Sequence, residues 1–451
     1  MLFSVQLTCH IQGRLHVSLQ SMRVDFAFGK TGLTADLPEG PAYRMLEARW
    51  AAALGDQVAA LEAALDAPIG CPPLREMARG KASAAISVCD ITRPAPNRVT
   101  LPLVLKRLAE GGIPPERTTI LIATGLHRAA TESEIVEILG ADIAAAYPIV
   151  NHNARELADH RDLGLTKSGT PVFVDKRYVD AELHITLGFI EQHLMAGFSG
   201  GRKLIAPGVA YQDTIKTLHS PRFMRDKRAV EGSIEENPLH QELLEIAAMA
   251  GHDFALDVVL AEGRRIAGVF AGEPRLAHRE GIAFVREKTT EWIPAAVDAV
   301  ITTSAGYPLD LTFYQAVKGV TAASHIVKPG GVILLLAACS EGAGAGEFSR
   351  LLKESPDAAE FLETISRIPV TIDQWQLEKL ALVAQTHRLW FYTPGLPAEY
   401  HASVWGRIFS SAAEAMEALA AEVGGGEIAV IPEGPYVFAR PRSTQLETVG
   451  V

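Results

Sequence analysis

The sequence predicts an α/β protein: two α/β domains with mostly parallel sheets and an active-site cleft between them. Three observations carry this. Short apolar runs recur at residues 84–88, 119–123 and 298–302, and each is followed by a polar loop and then a helical pattern. That order of strand, loop and helix implies parallel strands covered on both faces. The chain also has 451 residues, enough for two or three domains with sizeable cores.

Taken in order, residues 1–21 share little with the pattern of the later chain and are expected to be a flexible extension. Residues 22–290 are expected to form an N-terminal domain and 291–451 a C-terminal one. A strand-like alternation starts at Met22. Residues 43–67 are rich in Ala, Leu and Glu and read as helical. The strand at 84–88 runs into Asp90-Ile91-Thr92-Arg93-Pro94. Residues 101–110 read as a helix with Pro102 in its first turn. The strand at 119–123 ends in Thr124-Gly125-Leu126-His127-Arg128. A helix at 131–139 follows, with Thr131 as N-cap and Glu134 completing a capping box. Strands at 172–174 and 181–187 precede a glycine-rich stretch. Pro238–Ala250 reads as a helix, 254–261 and 266–271 as a hairpin around Glu262-Gly263, and 276–288 as a helix. Beyond the expected boundary come a helix at 313–323, a strand at 331–337 and a last strand at 427–431.

Composition narrows the function classes. The formal charge is −11, and no basic run offers nucleic acid a local foothold. Cys9, Cys71, Cys89 and Cys339 are scattered without a CxxC pair, which argues against a disulfide framework or structural zinc site and fits a reducing, cytoplasmic setting. The longest apolar run, 332–339, is too short to span a membrane.

The chemistry concentrates in HLMAGFSGGRKLIAPGVAYQDTIKTLH, from His193 to His219. Glycines at 197, 200 and 201 let backbone N–H groups approach a ligand, and Lys203 follows at once. The spacing is not GxxxxGK[ST], and no GxGxxG follows the first strand, so ATP and ordinary NAD are disfavoured while a phosphate or nucleotide still suits the turn. His219 lies 26 residues past His193, which is no local metal-ligand spacing. Asp90 with Arg93, then His127, then His193 each follow a strand, and parallel sheets gather their functional loops at those carboxyl ends. Arg93 offers a fork for a carboxylate or phosphate; Asp90 suits a turn cap as well as an orienting role. Tyr314 and Lys318, four apart on a helix, share a face, with Gln315 beside them. Trp375 suits a pocket wall or a core.

Together these stretches resemble the lactate racemase family, the nickel-pincer-nucleotide enzymes. The motifs are FAFGKTGL from Phe26, DITRP at Asp90, TGLHR at Thr124, EQHLMAGFSGGRK at Glu191, the histidine at 219, GYPLD at Gly306 and YQAVK at Tyr314. The resemblance implies a 2-hydroxyacid racemase or epimerase working by hydride transfer through a 2-oxo acid. It implies a nickel-pincer nucleotide, a pyridinium-3-thioamide-5-thiocarboxylic acid mononucleotide, covalently attached at Lys203 with nickel on His219. By the same resemblance His127 and His193 are the acid/base pair. Arg93, Lys318, Gln315, Tyr314 and Trp375 bind substrate, while Asp90, Thr92, Gly200 and Gly201 support the cofactor. The expected partners are a small anionic 2-hydroxy acid and the proteins that build the cofactor. A non-catalytic carrier of the nickel nucleotide would need Lys203 and His219 but not His127, Arg93 or Lys318. A nucleotide-dependent transferase using the glycine turn is the third reading, and the missing Walker spacing argues against it.

Overall fold

The structure is a computed structural model and describes residues 22–442; the expected extension, residues 1–21, lies outside them. Two six-stranded sheets organise the chain. The first runs, edge to edge, Ile266–Gly272, Phe254–Leu260, His184–Phe189, Ala84–Cys89, Thr118–Ala123, Ile149–Asn151. All its pairs are parallel except that between Phe254–Leu260 and Ile266–Gly272, the expected hairpin. Its central strand, Ala84–Cys89, is buried at every position, as a strand covered on both faces requires. The second sheet is parallel throughout, in the order Gly406–Ile408, Arg388–Tyr392, Val327–Leu336, Val297–Thr303, Glu427–Ile431, Ala42–Met45.

The predicted helix at 43–67 is only half present. Ala42–Met45 is an edge strand paired with Glu427–Ile431, and helix begins at Gln57 behind the cap Asp56. Val24, Phe26 and Leu37 of the Met22–Phe26 and Leu33–Leu37 hairpin also pack on the second sheet. The first described residues therefore pack on the second sheet, while the sequence groups them with 22–290. Pro102 differs too. The helix spans Asn97–Gly111, so the proline sits inside it and removes one i→i−4 hydrogen bond. The capping box at Thr131 and Glu134 is present.

In each sheet the strand order reverses once. In the first it reverses between Ala84–Cys89 and His184–Phe189, so the loops after these strands part and leave a crevice. In the second the reversal lies between Val297–Thr303 and Glu427–Ile431. That crevice is filled by the hairpin tip carrying FAFGKTGL. Ala27 N donates to Pro432 O (3.0 Å) and Tyr307 N to Gly29 O (2.8 Å). The buried carboxylate of Asp310, from GYPLD, accepts from Gly29 N (2.7 Å) and Ala338 N (3.0 Å). These two motifs thus clamp the second sheet.

The halves are fastened by the helix Gln374–Ala384. Glu378, fully buried, accepts from Arg225 Nε at 2.7 Å, and Lys379 Nζ donates to Met224 O and Ala229 O at 3.0 and 3.2 Å.

Candidate active site

The crevice of the first sheet gathers the loops that sequence reasoning singled out. After Ala84–Cys89, Asp90 is 5 % exposed and Arg93 is exposed. After Thr118–Ala123 comes His127, whose Nδ1 is 2.7 Å from Asp90 Oδ2. Thr92 Oγ1 donates to the other oxygen, Asp90 Oδ1, at 2.7 Å. Burial alone would raise the Asp90 pKa, but the bonds to His127 and Thr92 outweigh it and hold the carboxylate below its ordinary range. Asp90 thus fixes the His127 ring through Nδ1 and leaves Nε2 without a hydrogen-bond partner among the described residues. Arg93 Nη1 lies 3.3 Å from Thr92 Oγ1 and meets no carboxylate within ion-pair distance among the described residues.

On the other side of Ala84–Cys89, the strand His184–Phe189 leads to Glu191 and a tight hairpin in which His193 pairs with Gly197. Gly197 takes φ +75°, and a Cβ there would stand 1.9 Å from Ser233 O, so only glycine fits. The turn brings the N–H groups of Met195 and Ala196 onto His193 Nδ1 at 3.4 and 3.2 Å. Nδ1 is therefore an acceptor, and the neutral ring carries its proton on Nε2. That Nε2 is 3.0 Å from Lys203 Nζ. Burial, with Lys203 and Arg93 nearby, pushes the His193 pKa well below its ordinary value.

Gly200 at φ +85° turns the chain into the short helix Gly201–Leu204. Gly201 N donates to the buried Asp257 Oδ1 at 3.1 Å, which anchors the turn to the sheet beneath. Burial, reinforced by Arg93 and Arg202, pulls the Lys203 pKa down to about 7. Arg202 turns the opposite way and is buried behind the turn.

His219 ends the helix Gln212–Leu218, its Nδ1 donating to Ile215 O at 2.7 Å. A backbone carbonyl only accepts, so Nδ1 holds the proton and Nε2 presents a lone pair with no hydrogen-bond partner among the described residues. Burial brings the His219 pKa down to about 4, which keeps that lone pair available at neutral pH. The Trp375 ring lies 4.5 Å from the His219 ring, centroid to centroid.

The second half supplies the opposing wall through the helix Phe313–Ser324. Lys318 Nζ donates to Gln315 Oε1 at 2.7 Å, and Tyr314 OH to Asp373 Oδ1 at 3.2 Å. Burial, with Arg93 in range, lowers the Lys318 pKa to about 8. Arg93 and Lys318 thus form a local cationic site inside an acidic protein, with the Lys203 amine beside them.

Comparison with known proteins identifies the family. The lactate racemase N-terminal domain matches residues 28–232 and the lactate racemase C-terminal domain residues 293–439. The chain belongs to the lactate racemase family. It is 37 % identical over 385 residues to a lactate racemase of Lactiplantibacillus plantarum, covering 84 % of this chain and 90 % of that protein. It is 34 % identical to a lactate racemase of Thermoanaerobacterium thermosaccharolyticum, over 93 % of this chain and 99 % of the relative. The solved lactate racemase apoprotein from that organism superposes with a TM-score of 0.86 at 34 % identity, covering 93 % of this chain and 100 % of that one. A Thermotoga maritima protein at 15 % identity shares the fold, with a TM-score of 0.59 over 82 % of this chain and 97 % of its own. As a member of this family the protein is an isomerase of the racemase type.

Three carboxylates near these residues were given no role by the sequence reading. Asp373 takes φ +69° at the start of its helix, and its side chain bonds Tyr314 rather than capping the helix. Glu191 carries no side-chain hydrogen bond among the described residues; burial raises its pKa against the pull of Arg93, Lys318 and Lys203. Asp257 sits in the run FALDVVL, and a lone carboxylate inside an apolar strand was the one signal available.

Proposed function

We propose that this protein racemises or epimerises a small 2-hydroxy acid, lactate or a close relative, with His127 and His193 as its acid/base pair. The observation that carries the reading is their placement. They follow the two strands that flank Ala84–Cys89, so their strand ends lie about 10 Å apart, two strand spacings. Arg93 follows the strand between them. Racemisation in both directions calls for a base on each side of the substrate, and this gap has room for one small acid.

Arg93 and Lys318 hold the substrate carboxylate, with Gln315 positioning the Lys318 ammonium. Tyr314 and Trp375 close the pocket from the second half. His127, oriented by Asp90, takes the hydroxyl proton of one enantiomer and returns it to the other. His193 does the same from the opposite side once Lys203 no longer occupies its Nε2. The carboxylate clamp lets the rest of the molecule turn while the 2-oxo acid is held.

The residues fit a nickel-pincer nucleotide. His219 Nε2 is a neutral, unbonded imidazole nitrogen, and no group of three or more His, Cys, Asp or Glu side chains among the described residues could hold a metal. His219 would thus hold the metal as a single protein ligand, with the cofactor supplying the other donors. Lys203, with its low pKa, has the free amine that a covalent link needs. When bound, this cofactor would supply an electrophilic ring suited to reversible hydride chemistry at the substrate α-carbon. The reading brings with it maturation proteins that make the cofactor and a cytoplasmic setting. No helix among the described residues is long and apolar enough to cross a membrane.

The deciding assay offers enantiopure 2-hydroxy acids to protein produced together with the cofactor-building enzymes, followed by chiral chromatography. The opposite enantiomer accumulates if the reading is right. Nickel-loaded protein that converts no member of the panel refutes it.

A further inference from the structure

Arg202, beside the tethering lysine in the sequence, plays no part in the cleft. Its side chain is 2 % exposed and grips the turn from behind. Nη2 donates to Ala196 O and Phe198 O, each at 3.0 Å, and Nη1 to Ser199 O at 3.3 Å and Gly200 O at 3.4 Å. Nη1 also lies 2.8 Å from His278 Nε2, and Nε has no partner. A buried guanidinium ordinarily has a carboxylate against it, because an uncompensated buried charge is strongly destabilising. Arg202 has none within ion-pair distance among the described residues. Its nearest acid, Asp257, spends one oxygen on Gly201 N and leaves the other unbonded.

A cavity of about 210 Å³ adjoins Arg202 on the face away from the cleft. Its polar lining is Arg202, His252, Arg275, His278 and Glu273. Glu273 caps its helix with one oxygen, Oε2, which accepts from Leu276 N at 2.8 Å. Arg275 is exposed and makes no hydrogen bond or ion pair among the described residues. His278 is 4 % exposed; its Nε2 meets Ser199 O at 2.7 Å, and its Nδ1 makes no hydrogen bond among the described residues. Two guanidinium groups and two imidazoles therefore outnumber the one carboxylate around this space, with His252 Nε2 lying 2.9 Å from Thr186 Oγ1. None of the cleft residues lines it.

We propose that this cavity is a binding site for a small tetrahedral oxyanion of the phosphate or sulfate type, which supplies the missing countercharge to Arg202 and stiffens the 197–203 turn from behind. Guanidinium forks suit such oxygens, and the contacts of Arg202 and His278 with the turn carbonyls pass the constraint on. Burial and the neighbouring Arg202 keep His278 well below its ordinary pKa; an anion in the cavity reverses that balance.

Isothermal titration of the cofactor-free full-length protein with phosphate, sulfate and acetate tests this. Three proteins are compared: wild type, a cleft variant (Arg93→Ala with Lys318→Ala) and a back-cavity variant (Arg275→Ala with His252→Asn). The expected result is one saturable phosphate or sulfate site that survives in the cleft variant and weakens about tenfold or more in the back-cavity variant, as loss of a charge-assisted bond predicts. Phosphate should also slow hydrogen exchange of the turn amides. Absence of saturable binding overturns the proposal, and so does binding that vanishes with Arg93 and Lys318. Acetate binding as tightly as phosphate overturns the assignment to a tetrahedral oxyanion.

Discussion

His193 Nε2 lies 3.0 Å from Lys203 Nζ, and the proton between them belongs to the histidine. Two backbone N–H groups occupy His193 Nδ1, so its neutral ring must carry hydrogen on Nε2, and Lys203 must accept it. An ammonium has no lone pair to accept with. The contact therefore selects the free amine of Lys203, in accord with burial bringing its pKa to about 7. Near neutral pH a substantial share of Lys203 is therefore the nucleophilic amine that the proposed tether needs.

Lys203 should accordingly be the lysine most readily acylated at neutral pH. Its labelling rate in cofactor-free protein should reach half its plateau near pH 7, against the ordinary lysine value of 10.5. The sign follows from linkage. Below pH 7 the folded protein protonates Lys203 and the nucleophile is lost; above it the amine is free. Peptide mapping by mass spectrometry after brief acylation at several pH values measures this. A Lys203 that reacts only in step with surface lysines would contradict the amine assignment.

Metal retention should separate the three histidines. His219→Ala should lose nickel, because no other protein ligand replaces its Nε2. His127→Ala and His193→Ala should keep about one nickel per chain, as a single metal site requires, yet lose turnover. Elemental analysis alongside the racemisation assay distinguishes the roles.

Asp90→Asn should leave substrate binding nearly unchanged while kcat falls about 100-fold, the scale of a mispositioned general acid/base. The amide keeps the shape but no longer fixes the proton of the His127 ring at Nδ1, 2.7 Å away. A rise in KM with kcat preserved would place Asp90 in carboxylate binding instead.

Arg225→Ala tests the fastening between the halves. It leaves the fully buried Glu378 without its 2.7 Å partner, so a loss of about 3 kcal/mol is expected in chemical denaturation. Glu378→Gln in the same background should recover part of it, since the stranded charge is removed.

Much of this site was legible because its chemistry sits where parallel strands end. Asp90, His127 and His193 could be placed on neighbouring loops from apolar runs alone. What stayed hidden depends on packing between distant segments. Residues 42–45 look helical in composition, yet the free edge of Glu427–Ile431 claims them as a strand. Asp373 and Trp375 reach the cleft only because Arg225 and Lys379 fasten their helix across the halves. Arg202 and Lys203 are adjacent in sequence and point opposite ways, since a short helix after Gly200 sends one into the protein and the other into the cleft. No periodicity reports such a divergence.

The proposed hydride transfer inside the cleft makes an isotopic demand that proton exchange with water does not. Enantiopure lactate incubated with nickel-loaded protein in deuterium oxide exposes the difference. Mass spectrometry of the product after chiral separation reads both the inversion and the isotope at the α-carbon. The opposite enantiomer should appear steadily, with protium retained at that carbon. No inversion, or solvent deuterium at the α-carbon in step with inversion, would refute racemisation by hydride transfer.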